Sequence, residues 1–461
     1  MTAPARSPNG ITSFKGLVLR AGDHGYDEAR RVFNGMVDRS PALIAQCTDT
    51  SDVVAALEAA NGLHMPVSVY GGGHGVTGSA VVQGGLCIDL RGLNSVEVDP
   101  GGRTVTVGGG CTWGAVDTAT QRYALAVTGG RVPSTGVGGL VLGSGSGWIE
   151  RAFGLTCDSL LEAEMVAADG LVVRASTEEN PDLFWGLRGG GGNFGIVTEL
   201  TLGLHDVGPM LLAGIRMYPA KAAGEVLRRF RDFLGSAPDE VGGGIAFLTA
   251  PPLDFVPEFV RGQPVVAMVV CYVGSVHDGR RELAPLLDFG EPVADAVRPM
   301  SYLELQQLTE ASTPPGMQNY WTADFLGELP DAAVDTLVDM ATRPVSRLSQ
   351  VHVLPGGGAI ARVPDDATAF GQRSASWNVH YLSMWADPTD GQRNIDHTRR
   401  MAAAMKPWTT GRAYLNFIGD EGQARVAEAF GPAAYARLQA LKRQWDPQNV
   451  FRHNQNIPPV A

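Results

Sequence analysis

Apolar and polar positions along the chain change texture once, near residue 205. Before that point the segments are short. ALIAQC is a β-leaning run, SDVVAALEAANGL has helical spacing with Ser51 as its cap and Gly62 as its stop, and PVSVY is the next strand. GGLCIDLRGL, RTVTVGGGC and SLLEAEMVAADGLVVRA continue as strands broken by glycine turns, with ADG as a hairpin turn and WGAVDTATQRYA as a helix. Beyond residue 205 the elements lengthen. EVLRRFRDFL sets Val226, Leu227, Phe230, Phe233 and Leu234 on one face, the pattern of an amphipathic helix laid over a sheet. PVVAMVVCYVG, YWTADFLGEL, SQVHVLPGG and SWNVHYLSMWA read as strands interleaved with the helices PDAAVDTLVDMATR and NIDHTRRMAAAM. The expectation is an α+β protein with units at 1–204 and 205–405, the second built on a mostly antiparallel sheet. A terminal segment, 406–461, holds the helix AAYARLQALKRQW and then DPQNVFRHNQNIPP, too rich in Pro and Asn to continue it.

Composition narrows the classes. A length of 461 residues with 44% hydrophobic and 18% charged positions suits a globular protein of two or three folded units. The net charge of −12 argues against nucleic acid or an anionic membrane as the main partner. Cys47, Cys87, Cys111, Cys157 and Cys271 are widely spaced and form no CxxC pair, which points away from a disulfide framework or a zinc module. The opening MTAPARSPNGITSFKG carries no apolar leader core and no segment has the run of a membrane span, so a cytoplasmic protein is expected.

Glycine is the informative residue. The chain has 59 glycines, and they gather in GGGHG, GGGC, GVGGLVLGSGSG and GLRGGGGNFG. Both GHGVTG and GGGNFG satisfy the GxGxxG spacing, yet each is followed by strand-like sequence rather than by a helix, so a Rossmann site fails on context. Two readings remain: tight hairpins of a β-rich unit, or several turns converging on one anionic ligand through free backbone N–H groups. His74, within GGGHG, is open to the same division between a turn histidine and a functional group.

The strings VSVYGGGHGVTGSAVVQGGLCIDLRGLNSVEVD, PSTGVGGLVLGSGSGWIERAFGLTCDSLLEAEMVAADG, NPDLFWGLRGGGGNFGIVTEL and YLNFIG with WDPQNVFRHNQNIPP resemble, in order, the berberine-bridge-enzyme-like FAD-linked oxidases of the vanillyl-alcohol oxidase superfamily. The bacterial 6-hydroxynicotine oxidase and enterocin favorskiiase types look most similar. The resemblance implies an FAD-binding unit at 1–204, a substrate-binding unit at 205–405 and a return of 406–461 to the first. It implies His74 as the 8α-histidyl attachment site of FAD, with Gly71, Gly72, Gly73, Gly75, Gly138, Gly139 and Gly143 along the cofactor. Ile196 and Val197 should meet its adenine side, while Asn454 and Asn456 reach back to it. Bicovalent members carry a cysteine and a histidine where this chain has Gly136 and Leu140, so a single covalent bond is expected and Cys157 is expected to be a buried small residue.

For proton transfer, the family's YxN motif stands here as Tyr414, Leu415 and Asn416, making Tyr414 the first candidate base. Phe417, Ile418 and Gly419 offer no carboxylate of the kind berberine bridge enzyme uses nearby. His352, Tyr320 and Tyr381 are strand residues that analogy places on the roof of the pocket, as aromatic lining around Trp321, Trp377 and Trp385; each could equally be core. Favorskiiase-type members carry glutamate at the position of His352, so a shared substrate does not follow. Two activities are implied: an oxidase that converts an alcohol or amine of secondary metabolism while O₂ becomes peroxide, or a flavin-N5-oxide monooxygenase acting on a polyketide-like molecule, with Thr135 and Leu140 lining its oxygen pocket. The expected partners are a small-molecule substrate and O₂, in a monomer or homodimer.

Overall fold

The computed structural model describes residues 11–460, so most of the opening stretch read for a leader lies outside the described residues. Strand Leu43–Gln46 and strand Val67–Tyr70 flank helix Thr50–Gly62 as the periodicity predicts. The cap of that helix is Asp49, whose carboxylate accepts from Asp52 N, and Ser51 lies two residues too late, donating its hydroxyl to Asp49 at 2.6 Å. Strands Leu17–Leu19, Leu43–Gln46, Leu86–Asp89 and Val67–Tyr70 form a four-stranded sheet in that order, the last three parallel. The helix is wedged between this sheet and a second one. Val53, Ala56, Leu57 and Ala60 pack with Val67, Leu86 and Ile88 on one side and with Val166 and Ile196 on the other.

The second sheet is five-stranded and antiparallel, in the order Val96–Asp99, Thr104–Gly108, Gly195–Gly203, Leu160–Ala167, Val172–Ser176. Its hairpin turns at Asp169 and Gly170, the ADG read from sequence. Helix Trp113–Thr120 sits where WGAVDTATQRYA predicts. GVGGLVLG, read as a glycine turn between strands, is instead a short helix over Val137–Leu142. Burial of Val137, Val141 and Leu142 in the core overrides the low propensity of its glycines.

A third, eight-stranded antiparallel sheet spans residues 211–385. Strands Pro264–Tyr272, Gln318–Leu326, Gln350–Pro355 and Trp377–Trp385 were legible, whereas Leu211–Pro219 and the glycine-opened Val241–Thr249 were not. Helices Ala223–Leu234, Asp331–Ala341 and Gly391–Met405 cover one face with Val226, Leu227, Phe230, Leu337 and Met401. Each such fully buried side chain contributes ~1.5–3 kcal/mol. The opposite face turns toward the glycine-rich half of the molecule. All five cysteines are buried free thiols. Among the described residues no helix is long and apolar enough to cross a membrane.

Candidate active site

Between the glycine-rich half and the uncovered face of the large sheet lies a cavity of about 460 Å³, within the ~300–1,000 Å³ usual for small-molecule and cofactor sites. Gly71, Gly72, Gly73, Gly75, Thr135, Gly138, Gly139, Leu140, Gly143, Ile196 and Val197 all line it. The close approach of two loops explains one pair of glycines: a Cβ on Gly72 would overlap the backbone of Gly136, and a Cβ on Gly136 would overlap Gly72. Side chains there would force the GGGHG loop and the helix at Val137–Leu142 apart. A third loop joins them, since Gly189 N and Gly191 N both donate to Leu142 O, at 3.1 and 2.9 Å.

The terminal segment closes this end. Lys442 is buried with its ammonium donating to Asn193 O (2.7 Å), Phe451 O (2.9 Å) and Asp446 Oδ2 (2.7 Å), so three protons meet three acceptors and the charge is paired. Asn454 lines the cavity, its amide donating to Gly192 O at 3.0 Å. Asn456 does not line it. Gln455 lines the cavity beside Asn454 instead, and the Asn456 backbone carbonyl accepts from Gln423 at 2.7 Å.

His74 sits half-buried at the middle of the cavity wall. Its Nε2 lies 3.0 Å from Ser134 Oγ, and its ring stacks on Phe33 at 4.9 Å and 18°. Burial without a counter-charge lowers its pKa to about 4, so the imidazole is neutral and nucleophilic at neutral pH.

On the sheet side the register lines up Ala246, His352, His380 and Ala323 in one row across four strands. Gln350 Nε2 donates to Ser312 O at 2.9 Å, which fixes the amide, so its Oε1 must accept the hydrogen from His352 Nε2 at 2.9 Å. His352 therefore carries its proton on Nε2. Burial, helped by Arg131, lowers its pKa to about 4. His380 is 3% exposed, with a pKa pushed well below the usual imidazole value by burial, by His352 and by Arg131. Its ring stacks on Phe417 at 4.1 Å and meets the edge of Trp321 at 5.2 Å.

Tyr414 lines the cavity beside Phe417 and receives a hydrogen bond from Asn416 Nδ2 at 3.4 Å. Burial raises its pKa, the direction opposite to that of a base, and leaves it a protonated phenol. Two of the proposed roof residues are displaced by strand parity. Tyr381 is buried in the core under the helices, and Tyr320 receives a hydrogen bond from Arg399 Nε at 3.2 Å on the helix-covered side. Their neighbours Trp321, His380 and Leu382 face the cavity. Trp377 packs in the same helix-side core as Tyr381, and Trp385, also on an odd position of that strand, does not line the cavity. His380, Gln350, Phe33 and Arg131 on the cavity wall, and Ser134 behind His74, are site residues that sequence reasoning missed. Only the register, which makes His352 and His380 partners, brings the two histidines together.

The residues fit FAD. Three glycine loops form a cradle that side chains would fill, Arg131 is a cation on the wall, and Asn454 Oδ1 is buried there without a protein partner.

Comparison with known proteins gives the same direction. Residues 41–176 match the family described as FAD binding domain, and residues 413–458 match the one described as berberine and berberine like. The chain is 30% identical to (R)-6-hydroxynicotine oxidase of Paenarthrobacter nicotinovorans over 463 aligned positions, 97% of each chain. Its fold superposes on the crystal structure of 6-hydroxy-D-nicotine oxidase from Arthrobacter nicotinovorans with a TM-score of 0.87 at 29% identity, covering 97% of this chain and 99% of the other. A chitooligosaccharide oxidase, at 24% identity, shares the fold with a TM-score of 0.83 over 97% and 98% of the two chains.

Proposed function

Since the chain belongs to the berberine-bridge-enzyme-like FAD-linked oxidoreductases, we propose that it is an oxidase holding FAD covalently at His74, and that it oxidises a C–H bond next to an O–H or N–H group of a small to medium organic substrate. Bound FAD would supply a hydride acceptor that returns its electrons to O₂ as peroxide. The chain's residues do the rest. Gly71 to Gly73 and Gly138 to Gly139 let the backbone lie against the cofactor, and Ser134, engaged with Nε2 of His74, leaves Nδ1 as the nitrogen for the covalent bond. Asn416 holds the Tyr414 phenol, which stays protonated and serves as a hydrogen-bond donor that orients the substrate. Phe33, Trp321 and Phe417 exclude water.

One observation carries this reading: a neutral imidazole at His74 sits in the same cavity as the glycine cradle and the histidine row. Acid precipitation of the purified protein tests it. Yellow colour that stays in the pellet, with flavin mass on the peptide containing His74, is the expected result; colour that washes out refutes the covalent bond. A monooxygenase is the second reading, because Thr135 and Leu140 both line the cavity. Incorporation of ¹⁸O from O₂ into product, in place of stoichiometric peroxide, would favour it.

A further inference from the structure

The sheet side of the cavity is an apolar wall of Ile215, Met217, Ala246, Leu248, Leu253 and Phe255. Among the described residues no aspartate, glutamate or lysine lines the cavity. Its cation, Arg131, is already paired with Glu150 Oε1 at 3.0 Å. Within this wall His380 Nε2 is buried with no hydrogen-bond partner, on a side chain that is 3% exposed. The ring cannot turn away to find one, being stacked on Phe417 at 4° and held edge-on by Trp321 and by His352. His352 does not satisfy it: its Nε2 proton goes to Gln350, and no hydrogen bond joins the two rings.

From this geometry we infer that His380 is the specificity-determining polar anchor of the substrate, which enters as an uncharged hydroxyl compound with an apolar, ring-sized body, and that the cavity rejects a protonated amine. The inference rests on the reading that this cavity is the site of FAD-linked oxidation. A hydroxyl both donates and accepts, so it satisfies Nε2 in either tautomer of His380. Trp148 Nε1, a second buried orphan on the same wall, is a donor only and likewise calls for an oxygen acceptor. An ammonium group would meet that donor with like polarity and would bring a charge that no carboxylate here offsets. The titratable and charged groups around the site are His74, His352, His453, Tyr414 and Arg131, and none of them supplies negative charge at neutral pH.

The test compares 2-naphthylmethanol with 2-naphthylmethylamine, which differ only in the polar group. Binding is measured by calorimetry on dithionite-reduced protein, which oxidises neither probe. The alcohol should bind at least about tenfold more tightly at pH 7, the amine should gain about tenfold per pH unit up to its own pKa, and the alcohol should stay flat. His380→Phe should weaken the alcohol about tenfold, and His380→Gln, which keeps a polar atom, should restore most of that loss. Equal or tighter amine binding at pH 7, absence of alcohol binding, or an alcohol affinity untouched by His380→Phe overturns the inference. The FAD content of the same samples is read from their absorption before reduction, so failure to carry FAD, which sinks the proposed chemistry instead, is seen separately.

Discussion

His352 and His380 stand directly opposite each other on adjacent antiparallel strands, with ring centroids 6.0 Å apart and planes nearly perpendicular at 85°. Both are neutral imidazoles, His380 buried and His352 half-buried, and acid must charge them where no carboxylate lines the wall. The unfolded chain binds protons at the ordinary value of 6.5, whereas folded His352 binds them at about 4. Between those values the unfolded state carries more protons, so stability rises with pH through the window and is flat above it. Denaturant midpoints measured at pH 7 and pH 4.5 should fall toward acid, by up to ~1.4 kcal/mol per pH unit for each imidazole. His352→Gln should flatten the slope, and an unchanged slope would contradict the burial of a neutral ring.

Strand parity gives a second test. Tyr381 has a buried hydroxyl with no partner on the helix side of the sheet, so Tyr381→Phe should leave kcat/KM unchanged and stability equal or higher by ~1 kcal/mol. Tyr414→Phe, on the cavity side, should lower kcat/KM at least about tenfold with little change in Tm. Steady-state kinetics and thermal melts of the two variants decide it.

His74→Ala leaves the three glycine loops intact. The variant should still bind FAD, but acid should release all of it, and its activity should fall through the loss of redox tuning rather than of substrate binding. Flavin that stays attached to the precipitated variant would place the covalent bond elsewhere.

Gly72→Ala tests the loop contact. The new Cβ would overlap the Gly136 backbone, which cannot yield as a side-chain tip can, so a cost of ~1–3 kcal/mol is expected together with loss of FAD. Gly139→Ala, where a Cβ meets no protein atom, should cost little stability yet reduce FAD content if the cofactor lies there.

Much of this architecture was legible in the sequence, for identifiable reasons. Helix Ala223–Leu234 sits half in a core and half in solvent, so its stripe of Val226, Leu227 and Phe230 is visible as periodicity. The glycine loops betray themselves because only close backbone approach tolerates such runs, as Gly72 and Gly136 show. The roof was not legible. All nine residues of WNVHYLSMW are buried, one face under helices and the other over the cavity, so no polar alternation distinguishes Tyr381 from His380. The helix at Val137–Leu142 was hidden by its glycines, which mask the local preference: Gly136 before it is needed for the contact with Gly72, and Gly138 lies close to the Gly109 carbonyl.

The triply satisfied ammonium of Lys442 joins the last helix to Asn193 and Phe451, beside cavity-lining residues drawn from opposite ends of the sequence. A ribosome must therefore release the chain past Phe451 before the compartment has its final wall. Flavin capture is then a late event in maturation, and any damage that unseats this one charge should leave a chain that is synthesised in full but emerges colourless.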